Sequence, residues 1–104
     1  MSYINQEFDL ANAETAVITL DRWEHPNYTV QLNTGTSILV EGTLDQVNRL
    51  GVTPTWATIN DLTGTAMTAV ATGITGIEKT PYEAIRITAT GACQGRVMQS
   101  GEPT

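Results

Sequence analysis

One cysteine, one histidine and five lysines and arginines are all that 104 residues contain of those types, and each scarcity removes a class of protein. With Cys93 alone, no intramolecular disulfide can form, so packing must hold the fold. A zinc site needs three or four closely spaced His, Cys or carboxylate ligands, which His25 and Cys93 do not supply. Nucleophilic catalysis needs a base beside the nucleophile, and His25, ahead of Pro26 in "RWEHPNY", reads as a turn residue. The net charge of -6 and the scatter of the basic residues argue against nucleic acid, whose phosphates call for clustered Lys and Arg.

Long apolar runs are missing too. Nothing approaches the ~20 residues of a membrane span. The start "MSYINQEFDLANAE" lacks the positive region and apolar core of a secretion signal, so a cytoplasmic origin and no membrane partner are expected. Asn27-Tyr28-Thr29 fits the glycosylation pattern, but without a secretory route it reads as coincidence. The charged fraction is 15%, below the roughly 25% of ordinary domains, which leaves neutral surface for contacts. Acid pairs remain as candidates for glycosidase chemistry or calcium: Asp21 with Glu24, and Asp45 with Asp61. None has calcium-loop spacing, and all read as solvated loop acids. There is no Walker loop and no dinucleotide fingerprint. The expectation is no catalytic residue, no metal, no cofactor and no enzyme.

What is present is alternation with period two, the signature of strands with one buried face. In "YTVQLN" Tyr28, Val30 and Leu32 face one way and Thr29, Gln31 and Asn33 the other. "ETAVITL" places Ala16, Ile18 and Leu20 on one face, and "SILVEGTL" places Ile38, Val40 and Leu44 there, with Gly42 a bulge position. "NTGT" between residues 33 and 36 predicts a hairpin joining 28–33 to 37–44. "TWATIN", "EAIRITAT" and "GRVMQ" complete about six strand candidates. "TAMTAVATGITGIE" reads as strand or extended loop, because its threonines and glycines disfavour a helix. A turn or so of helix is allowed in residues 44–51, ending on Gly51.

Threonine makes up about a sixth of the chain and suits a half-solvated pleated surface. Several short strands separated by Gly, Pro, Asn and Thr turns predict an all-β fold, an antiparallel β-sandwich of jelly-roll-like or Ig-like type. Residues 1–12 form an N-terminal arm, 13–100 the single domain and 101–104 a flexible tail. The arm carries Phe8 and Leu10 and either folds back on its own domain or reaches a neighbour.

Two tryptophans invite burial in a core or subunit interface, or else stacking on sugar rings. Trp23, between Arg22 and Glu24 in a loop, is the more exposed candidate, and Trp56 is the other. In "EAIRITATGACQGRVMQS" a turn at 91–93 sets Ile87 opposite Val97 and Arg86 opposite Met98. Arg86 and Arg96 then project from one outer face of a closing hairpin. Phe8, Leu10, Trp23, Arg86 and Arg96 are the interface candidates.

"YEAIRITATGACQGRVMQSG" resembles the C-terminal signature of small bacteriophage virion proteins, an apolar-Arg-apolar strand, a Thr-Gly turn and a last strand ending near Gln. "ILVEGTLDQVNRLGVTPTWATINDLTGT" is similar to their strand, small-residue-Leu-Asp, loop and Trp-strand layout, with Trp56 in place and "DQVNRLGVTPT" in the position of a compact Asp-Gly turn. Together the resemblance covers roughly residues 28–100. The resemblance implies a non-enzymatic virion protein, foremost a capsid decoration or cement protein. It would associate with itself, a trimer suiting a capsid threefold, and with other virion proteins such as the major capsid protein. The second expectation is a tail, spike or fibre component acting as a receptor- or carbohydrate-binding module through Trp23 and Trp56.

Overall fold

The alternation carries directly into the computed structural model, which describes residues 3–20, 27–48, 50–51 and 53–100. Eight strands form: β1 (Tyr3–Leu10), β2 (Thr15–Thr19), β3 (Asn27–Thr34), β4 (Ile38–Thr43), β5 (Ala57–Thr58), β6 (Gly73–Gly76), β7 (Ala84–Ala89) and β8 (Cys93–Ser100). No helix occurs among the described residues, and those within 44–51 form bends and turns instead of the allowed helical turn. Among the described residues all strand pairings are antiparallel, in two four-stranded sheets ordered β1-β8-β3-β6 and β2-β7-β4-β5. This is the jelly-roll order. An immunoglobulin sheet would put β1 beside β2, so the second form of sandwich is excluded.

Every connection except β4 to β5 crosses from one sheet to the other. Two expected hairpins are therefore corrected. β3 pairs with β6 and β8 and not with β4, and β7 pairs with β2 and β4 and not with β8. The short gaps at 35–37 and 90–92 are arches that lie side by side at one end of the sandwich. Thr90 Oγ1 donates to Ser37 O at 2.7 Å, and the two hydroxyls lie 2.8 Å apart. Gly35 makes the first arch possible: its φ of +119° is a glycine conformation, and an added Cβ would stand 2.6 Å from Cys93 Cβ.

Alternation decides which residues the sheets enclose. Val30, Val97, Ile38, Val40, Ile85 and Ile87 are fully shielded, and Tyr28, Leu32, Phe8 and Leu10 extend the same cluster. Each such side chain contributes roughly 1.5–3 kcal/mol relative to exposure. The expected inward faces of β2, β3 and β7 are those seen. Leu44 is an exception at 55% exposed, because the strand ends at Thr43. β4 runs through Gly42 in unbroken register, since Tyr82 and Ile59 fill the space a side chain would take. The bulge sits instead between Leu32 and Thr34, at Asn33.

The expected arm is β1 over most of its length. Its Phe8 ring lies over Gly95, where an added Cβ would collide with the ring and with Gln31 O. The arm thus folds back on its own domain. On the opposite side, residues 60–62 leave the β2 sheet to meet 76–78: Leu62 N donates to Gly76 O at 3.0 Å, and Asp61 bridges to Ile77. That edge is closed, while β1 and β2 lie beside each other with few contacts and no pairing.

Gly35→Ala tests the arch. It should lower stability by about 2–4 kcal/mol in urea unfolding, from positive φ and the collision with Cys93. An unchanged midpoint would show that the chain does not cross between sheets there.

Candidate functional site

The strand registers place the two arginines of interest on opposite outer faces, not on the shared face of a hairpin. On the β2 sheet, the pairs Val17–Arg86 and Arg86–Glu41 form one row. Cross-strand neighbours on one face stand close enough for direct contact. Arg86 Nε and Nη2 both donate to Glu41 Oε1, at 3.0 and 2.7 Å. Its guanidinium carbon lies 4.8 Å from the centre of the Trp56 ring, a cation–π contact. Trp56 is held there by the loop from β4 to β5, whose neck is closed where Asp45 Oδ2 accepts from Thr55 N at 2.7 Å and Thr43 Oγ1 from Asp45 N at 3.0 Å. Trp56 is partly buried, one ring face covered by its own domain.

On the β1 sheet, the corresponding row is Glu7, Arg96 and Gln31. Arg96 Nη2 donates to Glu7 Oε1 at 2.7 Å, and Nη1 approaches Asn5 Oδ1 at 3.4 Å. Beside this row lies a cleft of about 290 Å³ lined by Glu7, Phe8, Asp9, Asn33, Gln94, Gly95 and Arg96. The Asn33 bulge and the side chains of β1 and β8 shape it. Carboxylates, amides and a guanidinium offer donors and acceptors side by side, a surface for polar ligands. The described lining contains no nucleophile paired with a base.

Other sequence candidates fall elsewhere. Phe8 and Leu10 are 5% and 8% exposed and belong to the core, so as interface residues they are corrected: alternation along β1 points both inward. Asp45 and Asp61 serve separate turns. Asp61 Oδ1 accepts from Thr63 Oγ1 at 2.6 Å and from Thr63 N and Thr65 N, and these bonds, led by the hydroxyl, hold its carboxyl below the usual aspartate range. Cys93 is buried, and burial, with the Asp9 charge second, pushes its thiol pKa up, away from reactive thiolate. Among the described residues no group of three His, Cys, Asp or Glu could hold a metal. Trp23, His25, Asp21 and Glu24 lie outside the described residues.

Neither the cleft nor the Glu41–Arg86–Trp56 stack is legible in the sequence. Glu41 sits at an outward position of "ILVEGT" and Arg86 at one of "AIRITA", but nothing local says that these strands are neighbours. No family model, no curated protein and no solved structure matches the chain.

The two arginine pairs should differ in worth. Side-chain exposure is 31% and 14% for Arg86 and Glu41, against 34% and 74% for Arg96 and Glu7. Glu41→Ala is expected to cost about 1–3 kcal/mol, because the largely shielded Glu41 carboxylate accepts two charge-assisted bonds from Arg86. Glu7→Ala should cost about 0–1 kcal/mol, since solvent screens an exposed pair. Urea unfolding of both variants checks this ranking, and equal losses would contradict it.

Proposed function

We propose that this chain is a non-enzymatic structural protein of a bacteriophage particle, a capsid decoration or cement protein that binds the outer surface of the head and stabilises it. The observation that carries the reading is the jelly-roll order itself, β1-β8-β3-β6 against β2-β7-β4-β5, a sandwich architecture that viral capsid domains share. That is a fold-level analogy, and the surface adds a physical reason. The outer arginines are engaged by acids of the same chain, which leaves threonine-rich, weakly charged faces suited to packing against a lattice. A fold without disulfides gains stability from such a lattice by mass action.

The polar cleft beside Arg96 and the half-covered Trp56 favour one second reading: a receptor- or carbohydrate-binding module of a tail, spike or fibre. In that role Trp56, held from below by Arg86, would stack on a sugar ring.

Emptied heads of the phage that encodes the chain separate the two. A decoration protein binds them at stoichiometric occupancy and raises their melting temperature, gaining about 2.7 kcal/mol at a free concentration 100 times Kd. Purified protein that ignores the heads but changes its tryptophan fluorescence with host polysaccharide, an effect lost in Trp56→Ala, would overturn the decoration reading in favour of the second.

A further inference from the structure

A two-sheet sandwich has edges, and each exposes backbone N–H and C=O groups that another strand can pair with unless something blunts it. Three of the four edge strands here are blunted. β5 is two residues long. β6 begins at Gly73, whose φ is +134°, and its far half is covered by the Leu62 N to Gly76 O bond. β1 carries the exposed acids Glu7 and Asp9, with Gln6 exposed at an inward-facing position.

β2 differs. Its residues, Thr15-Ala16-Val17-Ile18-Thr19, contain no charge, no proline and no glycine, and its pairing with β7 has no bulge. Leu20 N donates to Glu83 O and Ala89 N to Glu14 O, so the even-numbered residues point their backbone groups at β7. The backbone groups of Thr15, Val17 and Thr19 are then directed at the open edge. Side chains at these three positions are exposed, Val17 at 49%.

The strand is also self-complementary. Turned about a twofold axis through Val17, it sets Thr15 opposite Thr19, Val17 opposite Val17 and Thr19 opposite Thr15, each exchanging both backbone bonds. β-Branched residues face β-branched residues across the seam on the solvent side, and Ala16 meets Ile18 on the core side. In a chain of net charge -6, self-association is cheapest where no acid meets its own copy. The Glu14 carboxylate, next along, is turned back to accept from Ala11 N at 2.6 Å.

We infer that β2 is a homodimerisation edge: two copies join their β2 strands antiparallel about Val17, making one continuous eight-stranded sheet. The contact is isologous and closes at two copies. With five residues on each side it is a small interface, so the association is weak and reversible. It holds whether or not the chain belongs to a virion.

Sedimentation velocity of the full chain over a rising concentration series, with a cross-linking arm, tests this. The wild type should pass from monomer to dimer, while Val17→Lys stays monomeric at the same concentrations with an unchanged melting temperature. Because Cys93 is buried, Val17→Cys presents one accessible thiol. It should give a disulfide dimer on mild oxidation, whereas Thr15→Cys, which faces Thr19 of the other copy, should not. The cross-linking arm stands even if Val17→Lys fails to fold. A wild type that remains monomeric, one that assembles as trimers, or a dimer in which Thr15→Cys cross-links as readily as Val17→Cys overturns the inference. A monomer would leave the edge to the strand of another protein.

Discussion

Everything in this sandwich depends on one shielded apolar layer. Val30 pairs with Val97 in one sheet and Val40 with Ile87 in the other, and all four side chains are closed to solvent. No disulfide supplements that layer, because the one cysteine is itself a buried member of it. A buried branched side chain cannot be exchanged for a polar one without losing transfer energy and leaving an unpaired group. The alternation in the four central strands is therefore fixed, and with it which residues face outward. Arg86, Glu41 and Arg96 reach the surface because their neighbours in sequence must be inside.

The arches follow from the same layer. A hairpin at 35–37 would lay β3 and β4 in one sheet with their apolar faces on one side, still needing another layer to cover them. Crossing to the opposite sheet lets each strand contribute to closing the same interior. The cost is a tight end, where Gly35 takes a positive φ against Cys93 and Thr90 ties back to Ser37. Closure at the β5 and β6 side is made by residues 60–62, with Asp61 capping its own turn. Among the described residues nothing closes the β1 and β2 side, and this asymmetry singles out β2 as a surface for a second copy.

Local periodicity made much of this legible in the sequence. The strands at 28–33 and 84–89 and their inward residues could be read directly, because period two is a property of each strand alone. The all-β class and the sandwich followed. Pairing was not legible: "NTGT" and "TGAC" suit a hairpin turn and an arch equally, and only contacts distant in sequence decide between them. That is why the sequence puts both arginines on an outer face, as observed, but on one shared face, where the registers place them in different sheets. Residues 1–12 read as an arm because, apart from Tyr3, Ile4, Phe8 and Leu10, they are polar and too short of apolar residues to anchor alone. β6 was blurred by its glycines. The Glu41–Arg86–Trp56 stack and the Asn33 cleft each join segments far apart in the chain, and no spacing rule in one sequence reveals such a site.

The crossing of the chain between sheets is the claim on which register, surface and edge all rest. Backbone proton contacts measured by NMR in the folded protein test it most directly. The account predicts inter-strand contacts between Val30 and Val97 and between Val40 and Ile87, and no backbone contact between Ile87 and Val97. Backbone contacts between Ile87 and Val97, with those between Val40 and Ile87 missing, would return the chain to a closing hairpin and contradict the structure described.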